Sequence, residues 1–144
     1  MKICFDMDGT IANLYSVNNW LDYLMAYDPT PYEQAPVMLN MNSLAKRLNR
    51  LQAKGHKIMI ISWLSKNSTN DYNNKVIKAK KRWLSTHLKS VSFDEIHIVE
   101  YGTNKAQFAE SSEDILFDDE INNRKAWAGR AYDVNNILEV LKNI

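Results

Sequence analysis

The chain has 144 residues, of which 45% are apolar and 24% are charged, and its formal net charge is +1. These values are typical of a single globular domain, and they exclude a disordered chain, a collagen and a coiled-coil rod. The small net charge also argues against a protein whose whole surface binds nucleic acid. The single cysteine, Cys4, and the acidic residues that interrupt the N-terminal apolar stretch favour a cytoplasmic protein without a signal peptide or a membrane span.

Short apolar runs and helical spacings alternate along the chain. The runs predict strands at 2–5, 57–61, 96–99, 115–117 and 131–134. Apolar residues at helical spacing predict helices at about 44–54, 71–88, 105–109, 122–128 and 137–141. This alternation predicts an α/β fold, a doubly wound Rossmann-like parallel sheet with helices on both faces.

One stretch is too long for that pattern. Asp8 and Ser62 are separated by 53 residues, whereas a strand–helix–strand unit needs only about 30 in all. The surplus, at about 14–40, contains all three prolines and several aromatic residues but no lysine or arginine. We predict a small helical cap insert within a single domain of residues 1–144. Packing on the sheet and stacking on a flat ligand explain Trp20, Tyr23 and Tyr27 equally well.

Polar side chains follow three of the predicted strands directly. They are Asp6 and Asp8 after the first, Ser62 after the second, and Asp118 and Asp119 after the fourth. Ligands of open parallel sheets bind beyond the carboxyl ends of the strands, so we expect these side chains to share one site. Four carboxylates would repel each other without a cation, and hard oxygen ligands predict Mg²⁺.

The spacing of the first acid pair suits catalysis. Asp6 and Asp8 are two positions apart, so their side chains point to the same side of an extended strand exit. One carboxylate can attack a substrate while the other handles a proton. Gly9 permits a tight turn, and Thr10 is predicted to begin the next helix, near backbone N–H groups that bind anions.

The run Asp6-Met7-Asp8-Gly9-Thr10 resembles the signature of the haloacid-dehalogenase-like (HAD-like) phosphohydrolases. The four motifs of that superfamily occur here in order, over nearly the whole chain. The resemblance implies a nucleophile at Asp6, an acid/base at Asp8, a phosphoryl-binding hydroxyl at Ser62, a charge-stabilising lysine at Lys105, and metal-binding acids at Asp118 and Asp119. It also implies that the Asp8 carbonyl binds the metal.

Within that superfamily, the layout is most similar to the deoxyribonucleotidase-type branch. The similar features are the helical insert, the run Lys81-Arg82-Trp83-Leu84, and Asn122, Asn123 and Trp127 after the last motif. This resemblance implies a cytoplasmic, 5'-nucleotidase-like phosphatase that uses Mg²⁺ and an aspartyl-phosphate intermediate on a nucleoside monophosphate. The substrate-binding residues would be Gly9, Thr10, Trp20, Trp63 and Asn122. Trp63 departs from the family pattern, in which a small residue is common at that position.

Three alternative functions stay open at this point. They are a polynucleotide-end phosphatase, a phosphatase of a nucleotide signal, and a nucleotide-binding protein without activity. The basic run from Lys75 to Arg82 is interpreted as a solvent-exposed helix face. A small cap also leaves room for a second subunit to close the site, which is compatible with a homodimer.

Overall fold

A computed structural model describes all 144 residues as one five-stranded parallel sheet flanked by helices. The order of the strands across the sheet is β3-β2-β1-β4-β5, which confirms the predicted Rossmann-like α/β fold. All four strand pairs are parallel. The strands are β1 (Lys2–Phe5), β2 (Lys57–Trp63), β3 (Glu95–Val99), β4 (Ile115–Phe117) and β5 (Arg130–Tyr132).

Six α-helices accompany the strands, and polar side chains cap the N-termini of three of them. Asn40 accepts a hydrogen bond from the Ser43 amide at the start of α3, and Thr69 accepts one from the Tyr72 amide at the start of α4. A 3-10 turn, Lys105–Phe108, stands where a short helix was predicted. The helices are α1 (Trp20–Met25), α2 (Thr30–Gln34), α3 (Met41–Ala53), α4 (Asn70–His87), α5 (Ile121–Ala126) and α6 (Ile137–Lys142).

Alternation along the strands divides the core between the two faces of the sheet. Ile3 and Phe5 of β1 belong to the larger cluster, which also contains buried residues of α3, α4 and α6. Cys4, between them, belongs to the cluster on the other face, with Leu116 of β4 and Trp127 after α5. The helices α3 and α4 therefore lie on the same face of the sheet, and α5 lies on the opposite face.

The predicted insert leaves and rejoins the body of the protein at one point. Residues Ala12 and Val37 form an antiparallel bridge that closes its base. Between them lie a 3-10 turn, Leu14–Ser16, and the short helices α1 and α2. The helix α2 packs against α4, where the Trp83 indole donates a 2.8 Å hydrogen bond to the Ala35 carbonyl. In contrast, α1 contains no buried residue.

The expectation that a helix begins at Thr10 is wrong. The amides of Thr10, Ile11 and Ala12 all donate to the carbonyl of Met7, which forms a tight turn, and the chain then enters the insert. The next long helix, α3, begins only at Met41. None of the helices has both the length and the apolar character that crossing a membrane requires.

Candidate active site

The parallel pairing of β1 with β4 brings two of the predicted acids side by side. Phe5 and Phe117 are register partners, so the residues that follow them, Asp6 and Asp118, leave the sheet at the same level. The Asp6 amide donates a 2.9 Å hydrogen bond to the Phe117 carbonyl, which continues the ladder to the strand ends. In this strand order the chain reverses direction across the sheet between β1 and β4, the usual place for a ligand.

Lys105 lies between these two carboxylates. Its Nζ is 2.9 Å from Asp6 Oδ1 and 2.8 Å from Asp118 Oδ2, and all three side chains are buried. Burial lowers the pKa of Lys105, but Asp6 and Asp118 outweigh that effect and raise it above its ordinary value. The lysine is therefore a fixed positive charge beside the two acids.

The turn after β1 holds the third acid against the first. The Thr10 hydroxyl donates to Asp6 Oδ2 at 3.1 Å, and it accepts a 3.3 Å hydrogen bond from the Asp119 amide. Gly9 has a φ of +80°, and a Cβ at that position would overlap the Asp119 carboxylate. Gly9 and Thr10 therefore position the acids, and neither lines the cleft that the predicted substrate would occupy.

The arrangement of Asp6, Asp118 and Asp119 fits a divalent cation. Their carboxylate oxygens lie within 4.8 Å of one another, and all the donors are hard oxygen atoms. Burial and the neighbouring Asp6 carboxylate raise the pKa of Asp119 to about 7, and the same two causes raise that of Asp118. One lysine does not balance three acids, so a cation would relieve the remaining repulsion.

Asp8 faces a different lysine. Asp8 Oδ2 is 2.9 Å from the Nζ of Lys80, which belongs to α4 and is 1% exposed. The same Nζ donates to the Ser62 hydroxyl at 2.7 Å and to the Trp63 carbonyl at 2.6 Å. Burial raises the pKa of Asp8 more than the charge of Lys80 lowers it. The Asp8 carboxylate is not one of the three that cluster for a cation.

The prediction that the whole basic run of α4 faces solvent is wrong for Lys80. A signal for this exception was present in the sequence: Lys80 follows Val76 by four residues and precedes Trp83 by three. A helical residue in that position lies on the apolar face. Ser62 also differs from expectation, because it is fully buried and contacts Lys80 without lining the cleft.

A cleft of about 590 Å³ opens above the acids. Asp6, Asp8, Lys105, Asp118 and Asp119 form its floor. The insert and the loops after β2 and β3 form its walls, which carry aromatic and apolar side chains and also Ser65, Lys66 and Asn67. This volume is in the usual range for a small-molecule site. The aromatic residues of the walls are Tyr15, Trp20, Tyr27, Tyr32, Trp63 and Tyr101.

Two aromatic pairs face this cleft from different elements. Trp20 of α1 makes an edge contact with Tyr15, with ring centroids 5.0 Å apart. Trp63 lies 5.0 Å from Tyr101, and its ring also lies 5.2 Å from the Nζ of Lys105. Trp20 is half-buried and belongs to no core cluster. Its position is therefore that of a cleft residue and not of a core residue.

Two residues that the sequence analysis placed near the substrate lie outside the cleft. Asn122 is exposed and does not line it, whereas its neighbour Asn123 is buried, lines it and donates a 3.0 Å hydrogen bond to Asp118 Oδ2. The first turn of α5 points residue 123 inward, and this choice between adjacent asparagines could not be made from residue type. Tyr23 also does not line the cleft, although Trp20 and Tyr27 do.

No protein-family model matches the sequence, and no curated protein matches it. Two solved structures, however, superpose on the chain. The D,D-heptose 1,7-bisphosphate phosphatase from B. bronchiseptica, complexed with magnesium and phosphate, gives a TM-score of 0.56 at 12% identity, over 99% of each chain. The fold is shared. The enzyme of the same name from Burkholderia thailandensis gives 0.50 at 12% identity, over 87% of this chain and 70% of its own.

Proposed function

We propose that this protein is a Mg²⁺-dependent phosphomonoesterase with Asp6 as its nucleophile. The observation that carries the proposal is the placement of Asp6 between two partners: Lys105 at 2.9 Å on one oxygen and the Thr10 hydroxyl at 3.1 Å on the other. This environment orients a carboxylate at the floor of a cleft. The shared fold of two phosphatases, one of them bound to magnesium and phosphate, supports the same chemistry.

The reaction would proceed in two displacements at phosphorus. An Asp6 oxygen forms a bond to phosphorus as the bond to the leaving oxygen breaks, and Asp8 gives its proton to that oxygen. Asp8 then takes a proton from a water molecule, which attacks phosphorus and releases Asp6. The raised pKa of Asp8 suits the first of these roles, because a general acid must hold its proton until transfer.

The remaining groups would stabilise charge on the phosphoryl oxygens. Lys105 supplies a fixed ammonium beside the nucleophile. Asp6, Asp118, Asp119 and the Asp8 carbonyl would hold Mg²⁺, which supplies Lewis-acid stabilisation of the transferring phosphoryl group when bound. Asn123 orients Asp118 by donating to the oxygen that Lys105 also contacts.

The walls of the cleft favour a leaving group with a flat, apolar part, such as the base of a nucleoside monophosphate. Aromatic side chains stack on bases, and Tyr15, Trp20, Trp63 and Tyr101 all face the cleft. A sugar bisphosphate would need a second phosphate site. Residues 14–40 contain no lysine or arginine, so Lys66, in the loop after β2, is the one basic side chain of the walls that could contact a second phosphate.

The experiment is a panel of phosphate-release assays on the purified protein. It compares nucleoside monophosphates, a sugar bisphosphate, a phosphorylated DNA end and p-nitrophenyl phosphate, each with Mg²⁺ and with EDTA. We expect Mg²⁺-dependent release with the highest kcat/KM on a nucleoside monophosphate. Release of phosphate from the bisphosphate alone would contradict the proposal of a nucleotide substrate. No release from any of the esters would contradict the proposal that the protein is a phosphatase.

A further inference from the structure

The positive charges of this chain are concentrated in one segment. Residues 41–89 contain twelve of the 18 lysines and arginines but only one of the 17 acidic residues, Asp71. This segment therefore carries a formal charge of +11. The rest of the chain, with six basic and sixteen acidic residues, carries −10. The net charge of +1 conceals this separation.

The fold places most of these charges on one surface. Residues 41–89 form α3, β2 and α4, and both helices cover the same face of the sheet. Leu44, Leu48 and Leu51 turn one side of α3 into the core, so its basic residues point outward. Val76, Ala79 and Trp83 likewise bury one side of α4, so the basic residues at 75, 78, 81 and 82 point outward. The basic face is defined by its exposed members: Lys46, Arg50, Lys54, Lys75, Lys78, Lys81, Arg82 and Lys89.

Few acidic groups neutralise the basic face. Glu33 of the insert lies 3.3 Å from Arg82, and Asp71 stands at the first turn of α4. Lys46, Lys78 and Lys81 form no ion pair in the structure. Their charges are therefore available to a partner.

We propose that the basic face binds the sugar–phosphate backbone of a nucleic acid. Charge complementarity is the first argument, because each lysine or arginine that neutralises a phosphate releases condensed counterions. Length is the second. Lys75 and Arg82 are seven positions apart on α4, a distance of about 10 Å at 1.5 Å per residue. That distance corresponds to about three phosphates along one strand at 3.4 Å each.

The composition of the basic face favours nucleic acid over an anionic membrane. Membrane-surface helices carry large apolar residues that enter the bilayer beside their basic residues. No large apolar side chain is exposed on α3 or α4, since the exposed ones all lie elsewhere in the chain. Instead, Asn42, Asn49, Asn74 and Thr86 are exposed among the basic residues. Amide and hydroxyl groups of this kind donate hydrogen bonds to phosphate oxygens.

This binding is separate from the proposed hydrolysis and does not depend on it. The basic face lies on the flank of the sheet, whereas the cleft lies at the strand ends and its nearby acids repel a polyanion. The two proposals can therefore fail independently. Phosphatase activity without binding of nucleic acid would contradict only this inference, and binding without phosphatase activity would contradict only the proposed function.

The test is fluorescence anisotropy with a labelled 20-base-pair DNA duplex and the full chain, over a series of salt concentrations. Sequence-independent binding has a Kd of about 10⁻⁴ to 10⁻⁶ M at physiological salt, and its log K falls linearly with log salt. The double variant Lys78→Gln/Lys81→Gln should reduce the magnitude of that slope by about two, since each phosphate contact contributes about one. Both side chains are exposed, so its melting temperature should equal that of the wild type.

The matched control is Lys125→Glu, which also lowers the net charge by two but lies on α5, on the opposite face of the sheet. It should leave the salt slope unchanged. Equal slopes for wild type and the double variant, or an equal reduction in the control, would overturn the proposal. Co-sedimentation with phosphatidylserine vesicles, without binding of the duplex, would also overturn it.

Discussion

Lys80 and Asp8 form an ion pair at 2.9 Å although they are 72 positions apart in the chain, and Lys80 is almost wholly buried. Lys80 also contacts Ser62 and the carbonyl of Trp63, so one ammonium group joins the ends of β1 and β2 to α4. A buried charge without its partner is costly. The pair therefore fixes the direction in which the Asp8 carboxylate points.

We predict that Lys80→Met lowers kcat on a nucleoside monophosphate by roughly 10²-fold or more. The reason is that acid–base assistance of about 10²–10⁴-fold depends on the position of Asp8. The loss should be smaller on p-nitrophenyl phosphate, because its leaving group needs little protonation. Steady-state kinetics on both esters measure the difference.

The neighbouring residue supplies the control for Lys80. Lys81→Met changes an exposed lysine on the same helix and should retain wild-type kinetics. If Lys80 acts through Asp8, the double variant Lys80→Met/Asp8→Asn should be no slower than Asp8→Asn. If the reductions in kcat of the two single variants multiplied in the double variant, Lys80 would have a role separate from Asp8.

Gly9→Ala should weaken Mg²⁺ activation. An added Cβ would overlap the Asp119 carboxylate and displace it from Asp6 and Asp118. Changes to groups that orient metal ligands typically cost about 10–100-fold in metal affinity, so the half-saturating Mg²⁺ concentration should rise by at least about tenfold. Gly55→Ala is the matched control, because its φ is also positive, at +97°, but no atom lies within 4 Å of the added Cβ. If the half-saturating Mg²⁺ concentration rose equally in both variants, the cause would be backbone strain and not displacement of Asp119.

Trp20→Ala should raise KM for a nucleoside monophosphate with little change in kcat. Stacking on a base contributes about 1–3 kcal/mol, which corresponds to roughly a fivefold to 150-fold increase. Hydrolysis of p-nitrophenyl phosphate should fall much less. Tyr23→Ala removes another aromatic ring from α1, but one that lies outside the cleft, so it should leave KM unchanged. A parallel loss on both esters in Trp20→Ala, with a lower melting temperature, would contradict base stacking.

The acid cluster makes a prediction about stability and pH. Because the folded state raises the pKa of Asp119 to about 7 from a usual value of about 3.9, it binds more protons than the unfolded state between these limits. Stability without metal therefore falls as the pH rises through this window. In EDTA, Asp119→Asn should melt at a higher temperature than the wild type at pH 8 and at nearly the same temperature at pH 4. A lower melting temperature at pH 8 would show that the carboxylate stabilises the fold.

Local patterns were sufficient to predict the strands and the acids at their ends. Each apolar run of the sheet was visible in the sequence, and Asp6 and Asp118 follow two of these runs directly. Their juxtaposition depends on the pairing of β1 with β4, which brings together residues 112 positions apart. Strand alternation then turns both side chains toward the face that carries Lys105.

The parts that could not be predicted depend on tertiary contacts. The Thr10 amide bonds to Met7 in a turn, and the insert postpones the next long helix until Met41. Asn122 and Asn123 have the same chemistry, and only the start of α5 distinguishes them. The burial of Lys80 was predictable from its spacing to Val76 and Trp83, but its pairing with Asp8 depends on the packing of α4 against the end of β1.

The central claim, that Asp6 is the nucleophile, is tested most directly by trapping its phosphorylated form. The enzyme is mixed with a nucleoside monophosphate and Mg²⁺, quenched in acid within one turnover, digested and analysed by mass spectrometry. The account predicts a phosphoryl group on Asp6 of the wild type, none in Asp6→Asn, and loss of phosphate release in that variant at an unchanged melting temperature. Phosphate release by folded Asp6→Asn at even a tenth of the wild-type rate, or a phosphoryl group on another residue, would contradict it.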